Sequence, residues 1–75
     1  MRAVVEILTK ALVDFPEQVE VTERGDHRSV VVEVRVAPSD VGKVIGKQGK
    51  IARAIRAVAK AAAVRDDKRV TVEFR

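Results

Sequence analysis

Two glycines separated by two residues, Gly46 and Gly49, form the part of the sequence best suited to bind a charged ligand. Lys47 and Gln48 lie between them, and Lys50 follows. Glycine at a helix end adopts a left-handed conformation without a Cβ penalty, and glycine at the next helix start lets a ligand approach the backbone. The first N–H groups of that helix carry the positive end of its dipole and favour an anion. This spacing predicts a site for a phosphodiester backbone; a plain tight turn between two helices has the same glycines.

Positive charge is concentrated around these glycines. The chain has 15 Lys and Arg against 11 Asp and Glu, a formal net charge of +4. Segment 41–65 contains no acidic residue, which leaves the rest of the chain with more acidic than basic side chains. Such a distribution is typical of a protein with a polyanion partner, and a solvated helix face is the other explanation. The basic residues of the segment are Lys43, Lys47, Lys50, Arg53, Arg56, Lys60 and Arg65.

The residues needed for catalysis or metal binding are missing. His27 is the only histidine and there is no cysteine, so the sequence offers no metal cluster. The carboxylates are scattered and have no evident nucleophile as partner. The run from Gly42 to Lys47 is one residue too short for a P-loop, and Gln48 stands where that loop needs Ser or Thr. We therefore expect a protein that is not an enzyme and that needs neither cofactor nor metal.

The length of 75 residues predicts one domain. A domain of this size buries only about 60–65% of the surface of its unfolded chain, so self-association would add stability. No stretch approaches the roughly 20 apolar residues of a membrane span. The apolar run at the N-terminus is interrupted by Glu6 and Lys10 and lacks a signal-peptide cleavage site. These features favour a cytoplasmic location.

Periodicity predicts a helix and a hairpin in the first half of the chain. Alternating apolar residues predict a strand over 18–22, a polar turn over 24–27 and a second strand over 30–36. Pro16 ends the preceding helix. The residues expected on the apolar face of that helix are Val4, Leu8, Ala11, Leu12 and Phe15.

The second half predicts two helices and a last strand. Pro38-Ser39-Asp40 is a helix start signal, and Gly46 ends that helix early. A longer helix is expected from about 49 to 64, and a strand over 70–74. Its apolar stripe comprises Ile51, Ile55, Val58 and Ala62, and its basic stripe Lys50, Arg53, Arg56 and Lys60. The order α-β-β-α-α-β predicts a two-layer α+β domain, a three-stranded sheet covered on one face by three helices.

The segment RVAPSDVGKVIGKQGKIARAIRAV, residues 35–58, resembles the signature of KH domains: strand, helix, V-I-G-K-x-G-K-x-I, helix. The element order is similar to that of type II, bacterial-type KH domains over the whole chain. The length, the early DFPEQV and the late DDKRVTVEF resemble the small single-KH proteins of the KhpA family. The resemblance implies binding of single-stranded RNA, with the turn clamping the backbone of about four nucleotides. On this chain that turn is Gly46, Lys47, Gln48 and Gly49.

The resemblance also implies a groove for the bases, between the first of the paired helices and the neighbouring strand. Apolar candidates for its floor are Val34, Val41, Val44, Ile45 and Ile51. Most of these fit the protein core better than a ligand contact, and Val44 and Ile45 are the best candidates for base contacts. In this hypothesis the glycine turn and Lys50 position the RNA backbone. Lys43, Arg53 and Arg56 supply diffuse attraction.

The KhpA resemblance further implies a partner, although the residues themselves do not indicate one. The partner would be a second copy or a larger KH-containing protein similar to KhpB. The implied roles are RNA chaperone or post-transcriptional regulator, linked in some bacteria to cell elongation and cell-wall homeostasis. A dimerisation module with weak or partner-dependent RNA binding is the alternative, and DNA-backbone binding by a helix-hairpin-helix-like turn is a third hypothesis.

Overall fold

The computed structural model describes residues 1–75 and has the α+β order predicted from the sequence, with a mixed three-stranded sheet. None of its helices is long and apolar enough to cross a membrane. Short 3₁₀ turns occupy Pro16–Gln18, Pro38–Asp40 and Lys47–Gly49. The main elements are α1 (Arg2–Leu12), β1 (Glu20–Gly25), β2 (Ser29–Arg35), α2 (Val41–Ile45), α3 (Lys50–Arg65) and β3 (Arg69–Phe74).

The sheet has the order β1-β2-β3, with β2 in the centre. β1 and β2 form an antiparallel hairpin, whereas β3 runs parallel to β2 because α2 and α3 carry the chain back across the sheet. Alternation along β2 turns Val30, Val32 and Val34 towards the helices, where all three are buried. The three helices therefore cover one face of the sheet, as predicted.

Small side chains let α3 lie close to the sheet. Its buried residues are Ala52, Ile55, Ala59 and Ala63. The predicted apolar stripe was partly wrong, because Val58 is 47% exposed. The apolar face of α3 is wider than the part that contacts the sheet. The residues that pack on the sheet are mainly alanines, and Val58 lies outside the contact.

The buried face of α1 also differs from the apolar face that the sequence predicts. The fully buried residues of α1 are Val5 and Thr9, while Val4 and Leu12 remain 37% and 40% exposed. The chain leaves the helix after Leu12, so Phe15 lies beyond it and is 41% exposed. Apolar residues surround more than half of α1, and only tertiary packing decides which of them are covered.

β1 extends three residues beyond the predicted strand. Arg24 and Gly25, expected in the turn, pair with Val31 and Val30 of β2. The turn itself is built by Asp26, whose carboxylate accepts hydrogen bonds from the backbone N–H groups of Arg28 and Ser29, both at 2.8 Å. Those bonds, the one from Ser29 foremost, lower the pKa of Asp26 below its ordinary value.

Asp40 connects the start of α2 to the chain that follows α1. The sequence predicts it as part of a helix start, and α2 does begin at Val41, but the side chain makes no capping bond to α2. Its two oxygens instead accept the backbone N–H groups of Asp14 at 3.1 Å and Phe15 at 3.0 Å. Asp40 is fully buried, so these bonds satisfy its carboxylate and tie the start of α2 to the chain that follows α1.

Candidate nucleic-acid interface

Gly46 occupies a backbone conformation that only glycine adopts readily. Its φ is 75° and its ψ is 172°, so φ is positive as predicted but the residue is extended, not left-handed helical. A Cβ on Gly46 would lie 2.7 Å from Ile51 Cγ1 and 2.9 Å from Ile51 N. Close approach between the turn and the first turn of α3 therefore requires glycine here.

Gln48 and Gly49 form the centre of a type I′ turn. Their φ and ψ are 58° and 25° for Gln48, and 74° and 15° for Gly49. The turn is closed by the Lys50 N–H, which donates to the Lys47 carbonyl. A Cβ on Gly49 would meet no atom within 4 Å, so only its positive φ favours glycine. Gln48 adopts a left-handed conformation that is unusual for a residue with a side chain.

Two backbone N–H groups in the turn have no acceptor in the protein. They belong to Lys47 and Gln48, the first two residues of the 3₁₀ turn, which have no acceptor within that turn and donate to no loop, cap or side-chain acceptor. The carbonyls of the same two peptides point into the turn, where Gly46 O accepts from Gly49 N at 3.1 Å and Lys47 O accepts from Lys50 N. Because N–H and C=O lie on opposite sides of a trans peptide, both free N–H groups point away from α3. Two such groups side by side can bind one anionic oxygen.

The side chains of Lys47, Gln48 and Lys50 are exposed around these N–H groups. None of the three makes a hydrogen bond or ion pair within the chain. The structure thus brings together five of the nine predicted site residues, Gly46 to Lys50, with free donors and free positive charge.

The other three basic residues of the predicted site are engaged within the chain. Arg53 donates to the carbonyls of Gln48 and Gly49, at 2.9 and 3.4 Å. Arg56 donates through Nε to the carbonyl of Val72 at 3.1 Å, and its guanidinium carbon lies 5.5 Å from the centroid of the Phe74 ring. These two arginines are exposed but not free, and their contribution to RNA binding stays a prediction.

Lys43 is the third engaged cation. Its ammonium group is bonded to the carboxylate of Asp14 and lies 4.0 Å from Asp40. The bond to Asp14 raises the pKa of Lys43 above its ordinary value. Because two carboxylates lie beside its ammonium group, Lys43 attracts an anion at the turn less strongly than the sequence suggests.

The predicted floor of the base groove divides into core and surface. Val34 and Val44 are fully buried, so Val44 cannot contact a base without unpacking the core. Val41, Ile45 and Ile51 are half-buried and retain accessible surface. Among the apolar candidates for base contact, Ile45 is therefore compatible with the structure and Val44 is excluded by its burial.

Sequence patterns did not indicate the acceptors of Arg53 and Arg56. An arginine four residues after a glycine turn does match the spacing that lets its side chain return to the last carbonyls before the helix, and this signal would have suggested the Arg53 contact. Nothing comparable in the sequence points from Arg56 to Val72, which lies 16 residues away on another element.

Comparison with known proteins places the chain in a family. The family model described as "KhpA/KhpB, KH domain" matches residues 2–74. The chain belongs to the KhpA/KhpB KH-domain family. Proteins named RNA-binding protein KhpA from Caldanaerobacter subterraneus and Clostridium acetobutylicum are 56% and 55% identical to it, each over 99% of both chains. The relative of that name from Aquifex aeolicus is 47% identical over 99% of this chain and 94% of its own.

A solved structure supports the fold assignment. The ribosomal-RNA complex of Era, crystallised with MgGDPNP and nucleotides 1506–1542 of 16S RNA, superposes on 97% of this chain with a TM-score of 0.72. The match spans 28% of the Era chain at 16% identity, so it establishes a shared fold only. The matched family model is described as a KH domain, and the relatives named here are RNA-binding proteins.

A second surface of the structure is apolar. α1 and α3 leave an open groove between them, lined almost entirely by hydrophobic side chains. It lies on the outside of the helical layer and includes the exposed Val58. The residues that line the groove are Leu8, Ala11, Leu12, Lys50, Ile51, Ala54, Ile55 and Val58. Lys50 and Ile51 belong to both the groove and the vicinity of the glycine turn.

Proposed function

We propose that this protein binds single-stranded RNA by holding the phosphodiester backbone in the turn Gly46–Gly49. The observation that carries the proposal is the pair of unpartnered N–H groups on Lys47 and Gln48, directed away from α3. The free ammonium groups of Lys47 and Lys50 flank them. Relatives along the whole chain are named RNA-binding proteins, which supports the same assignment.

Each part of the turn has a distinct task in this proposal. The two N–H groups donate to phosphate oxygens, and their fixed direction costs no rearrangement on binding. Lys47 and Lys50 attract the chain of phosphates and release its counterions. Ile45 offers a small apolar contact for a base beside the turn. A grip on the backbone by one domain reads few bases, so the intrinsic sequence specificity is low.

The test is fluorescence anisotropy of a labelled uridine oligonucleotide with the parent protein and the variant Lys47→Asp, Gln48→Asp. The variant places two carboxylates beside the free N–H groups, and we expect affinity to fall at least about tenfold. Four neutralised phosphates predict a log–log salt slope of about −2.8, or roughly 50-fold weaker binding between about 50 and 200 mM salt.

A matched control makes the same change of charge elsewhere. His27→Asp with Lys68→Asp alters exposed side chains in the turns beyond the far end of α3, a helix of 16 residues and thus about 24 Å long. The control variant should keep most of its affinity, within about threefold of the parent. Equal binding by the parent and the Lys47, Gln48 variant would contradict the proposal.

The cellular role follows as a further part of the proposal. A module with low specificity and a strong backbone grip is suited to an RNA chaperone or post-transcriptional regulator. Acting with a second KH domain would add a second grip on the same RNA and raise affinity through effective concentration. The family resemblance is what supports a larger KH-containing partner and a link to cell elongation and cell-wall homeostasis.

A protein-interaction function is the second candidate, favoured by the groove between α1 and α3. Apolar grooves with exposed side chains at their walls can serve as protein-interaction sites. Val58 is 47% exposed and Leu12 is 40% exposed at its walls. We infer that a second copy of the chain, or the α1–α3 surface of a related KH domain, covers this groove. Pairing there would leave the N–H groups of the glycine turn free, so the two functions are compatible.

A further inference from the structure

Arg53 lies one helical turn into α3, and its side chain returns to the glycine turn. Nη2 donates to the Gln48 carbonyl at 2.9 Å and Nε donates to the Gly49 carbonyl at 3.4 Å. The two acceptors belong to the two residues with left-handed backbone conformations. Arg53 therefore contacts the part of the turn that is least stable without support.

The peptide between Gln48 and Gly49 is held at both ends. Its carbonyl accepts from Arg53, and its N–H donates to Gly46 O at 3.1 Å. Rotation of this peptide changes ψ of Gln48 and φ of Gly49 together, and it would take both residues out of the type I′ geometry. That rotation would break both hydrogen bonds. The bond from Arg53 is charge-assisted and so the stronger of the two.

The Arg53 guanidinium also offsets the negative charge of the carbonyl groups on one side of the turn. The carbonyls of Gln48 and Gly49 bear partial negative charge, which would repel a phosphate near the turn. With Arg53 bonded to them, the side of the turn that carries the N–H groups of Lys47 and Gln48 is the side left for an anion. Arg53 thus influences the ligand site through the backbone, whereas Lys47 and Lys50 project free charge into it.

We propose that Arg53 is a positioning residue, which fixes the Gln48–Gly49 peptide so that the free N–H groups of Lys47 and Gln48 face the RNA backbone. The inference rests on the proposed function of the turn. It assigns Arg53 a role other than the diffuse attraction expected from its charge. A lysine at this position would keep the charge but lack the planar fork that reaches two carbonyls.

The experiment compares Arg53→Lys with Arg65→Lys, a conservative change of an exposed arginine in the last turn of α3. One readout is the affinity for a labelled uridine oligonucleotide at two salt concentrations. The other is NMR of the free proteins, with the Cα and Cβ shifts of Gln48 and the HN–Hα couplings of Gly49 reporting the backbone on the two sides of the peptide. Circular dichroism establishes that each variant is folded.

We expect Arg53→Lys to weaken binding about fivefold or more with an unchanged salt slope, because the charge is retained and a charge-assisted bond is lost. The Gln48 signals should shift towards averaged conformations in the same variant. Arg65→Lys should leave affinity within about twofold and the Gln48 signals unchanged.

Three results would overturn the inference while the parent still binds RNA. Arg53→Lys could match the parent in both affinity and Gln48 signals, or it could bind weakly with unchanged Gln48 signals, which would make Arg53 a direct RNA contact. Altered Gln48 signals with unchanged affinity would separate the turn conformation from binding. If the parent protein itself fails to bind the oligonucleotide, the proposed function fails instead, which is a distinct outcome.

Discussion

The ionisation of Asp26 is coupled to the folding of the β1–β2 hairpin. Its carboxylate accepts the N–H groups of Ser29 and Arg28, and these bonds lower its pKa below the ordinary value of 3.8. A carboxyl with a depressed pKa in the folded state stabilises the protein above its unfolded pKa, and that contribution is lost as the pH falls through the folded pKa. The hairpin turn should therefore weaken in acid.

We expect Asp26→Asn to remove this part of the acid sensitivity. The asparagine oxygen can still accept the two N–H bonds, but it does not titrate. The free energy of unfolding, measured by urea titration with circular dichroism, should then fall less for Asp26→Asn than for the parent below about pH 4. A parallel acid profile for the two proteins would show that the carboxylate charge at Asp26 does not matter.

The elements around the turn place different demands on the two glycines. Glycine is required at position 46 by both its positive φ and its close contact with Ile51, whereas at position 49 only the positive φ favours glycine. At Gly46 an added Cβ must therefore move the first turn of α3 or the helix before it. The turn belongs to both helices, so its geometry and their packing cannot vary independently.

Gly46→Ala should accordingly destabilise the fold by at least about 3 kcal/mol, from backbone strain and overpacking together. Gly49→Ala should cost about 1 kcal/mol, from the left-handed conformation alone. Urea denaturation of the two variants measures the difference. Equal losses of stability would contradict the distinct contacts assigned to the two glycines.

Local sequence signals predicted the elements well but not all of their long-range partners. The spacing of the glycines located the turn, and the alternation of apolar residues located β2 and β3. Both patterns depend only on residues that are close together in the sequence. The partners of Asp40 lie 25 and 26 residues away, and no local pattern names them. β1 reaches Gly25 because it pairs with Val30 of β2, a matter of register and not of composition.

The candidate site shows the same division. Gly46 to Lys50 come together because they are consecutive in the chain. The contacts that Lys43, Arg53 and Arg56 make within the chain were not anticipated, since a count of charges does not reveal which cations are already paired. The sequence left Val44 open between core and base contact, because half-buried and fully buried valines have the same sequence signature in a helix as short as α2; the structure buries it.

At the scale of the whole molecule, the helical layer has two candidate functional regions that meet at the start of α3. The turn with its free N–H groups lies at the N-terminal end of α3, and the apolar groove runs along α3 beside α1. Because Lys50 and Ile51 border both, a partner in the groove lies near the proposed RNA backbone. Pairing of two domains there would bring two RNA-binding turns into one assembly.

Val58→Glu tests pairing through the groove. The charge would be buried in the proposed interface, so we expect the parent to sediment as a dimer and Val58→Glu as a folded monomer. Val64→Glu is the matched control, since Val64 is 68% exposed on the same helix and does not line the groove. A monomeric parent, or a Val58→Glu dimer as stable as the parent's, would contradict this use of the groove.

The central claim is that the N–H groups of Lys47 and Gln48 bind the RNA backbone, and an NMR titration tests it most directly. Amide shifts of the ¹⁵N-labelled protein would be followed as a single-stranded uridine oligonucleotide is added. We predict the largest downfield shifts at the amides of Lys47 and Gln48, as expected for new hydrogen bonds to phosphate oxygens. Saturable binding with those two amides unchanged, and the shifts located elsewhere on the protein, would contradict the claim.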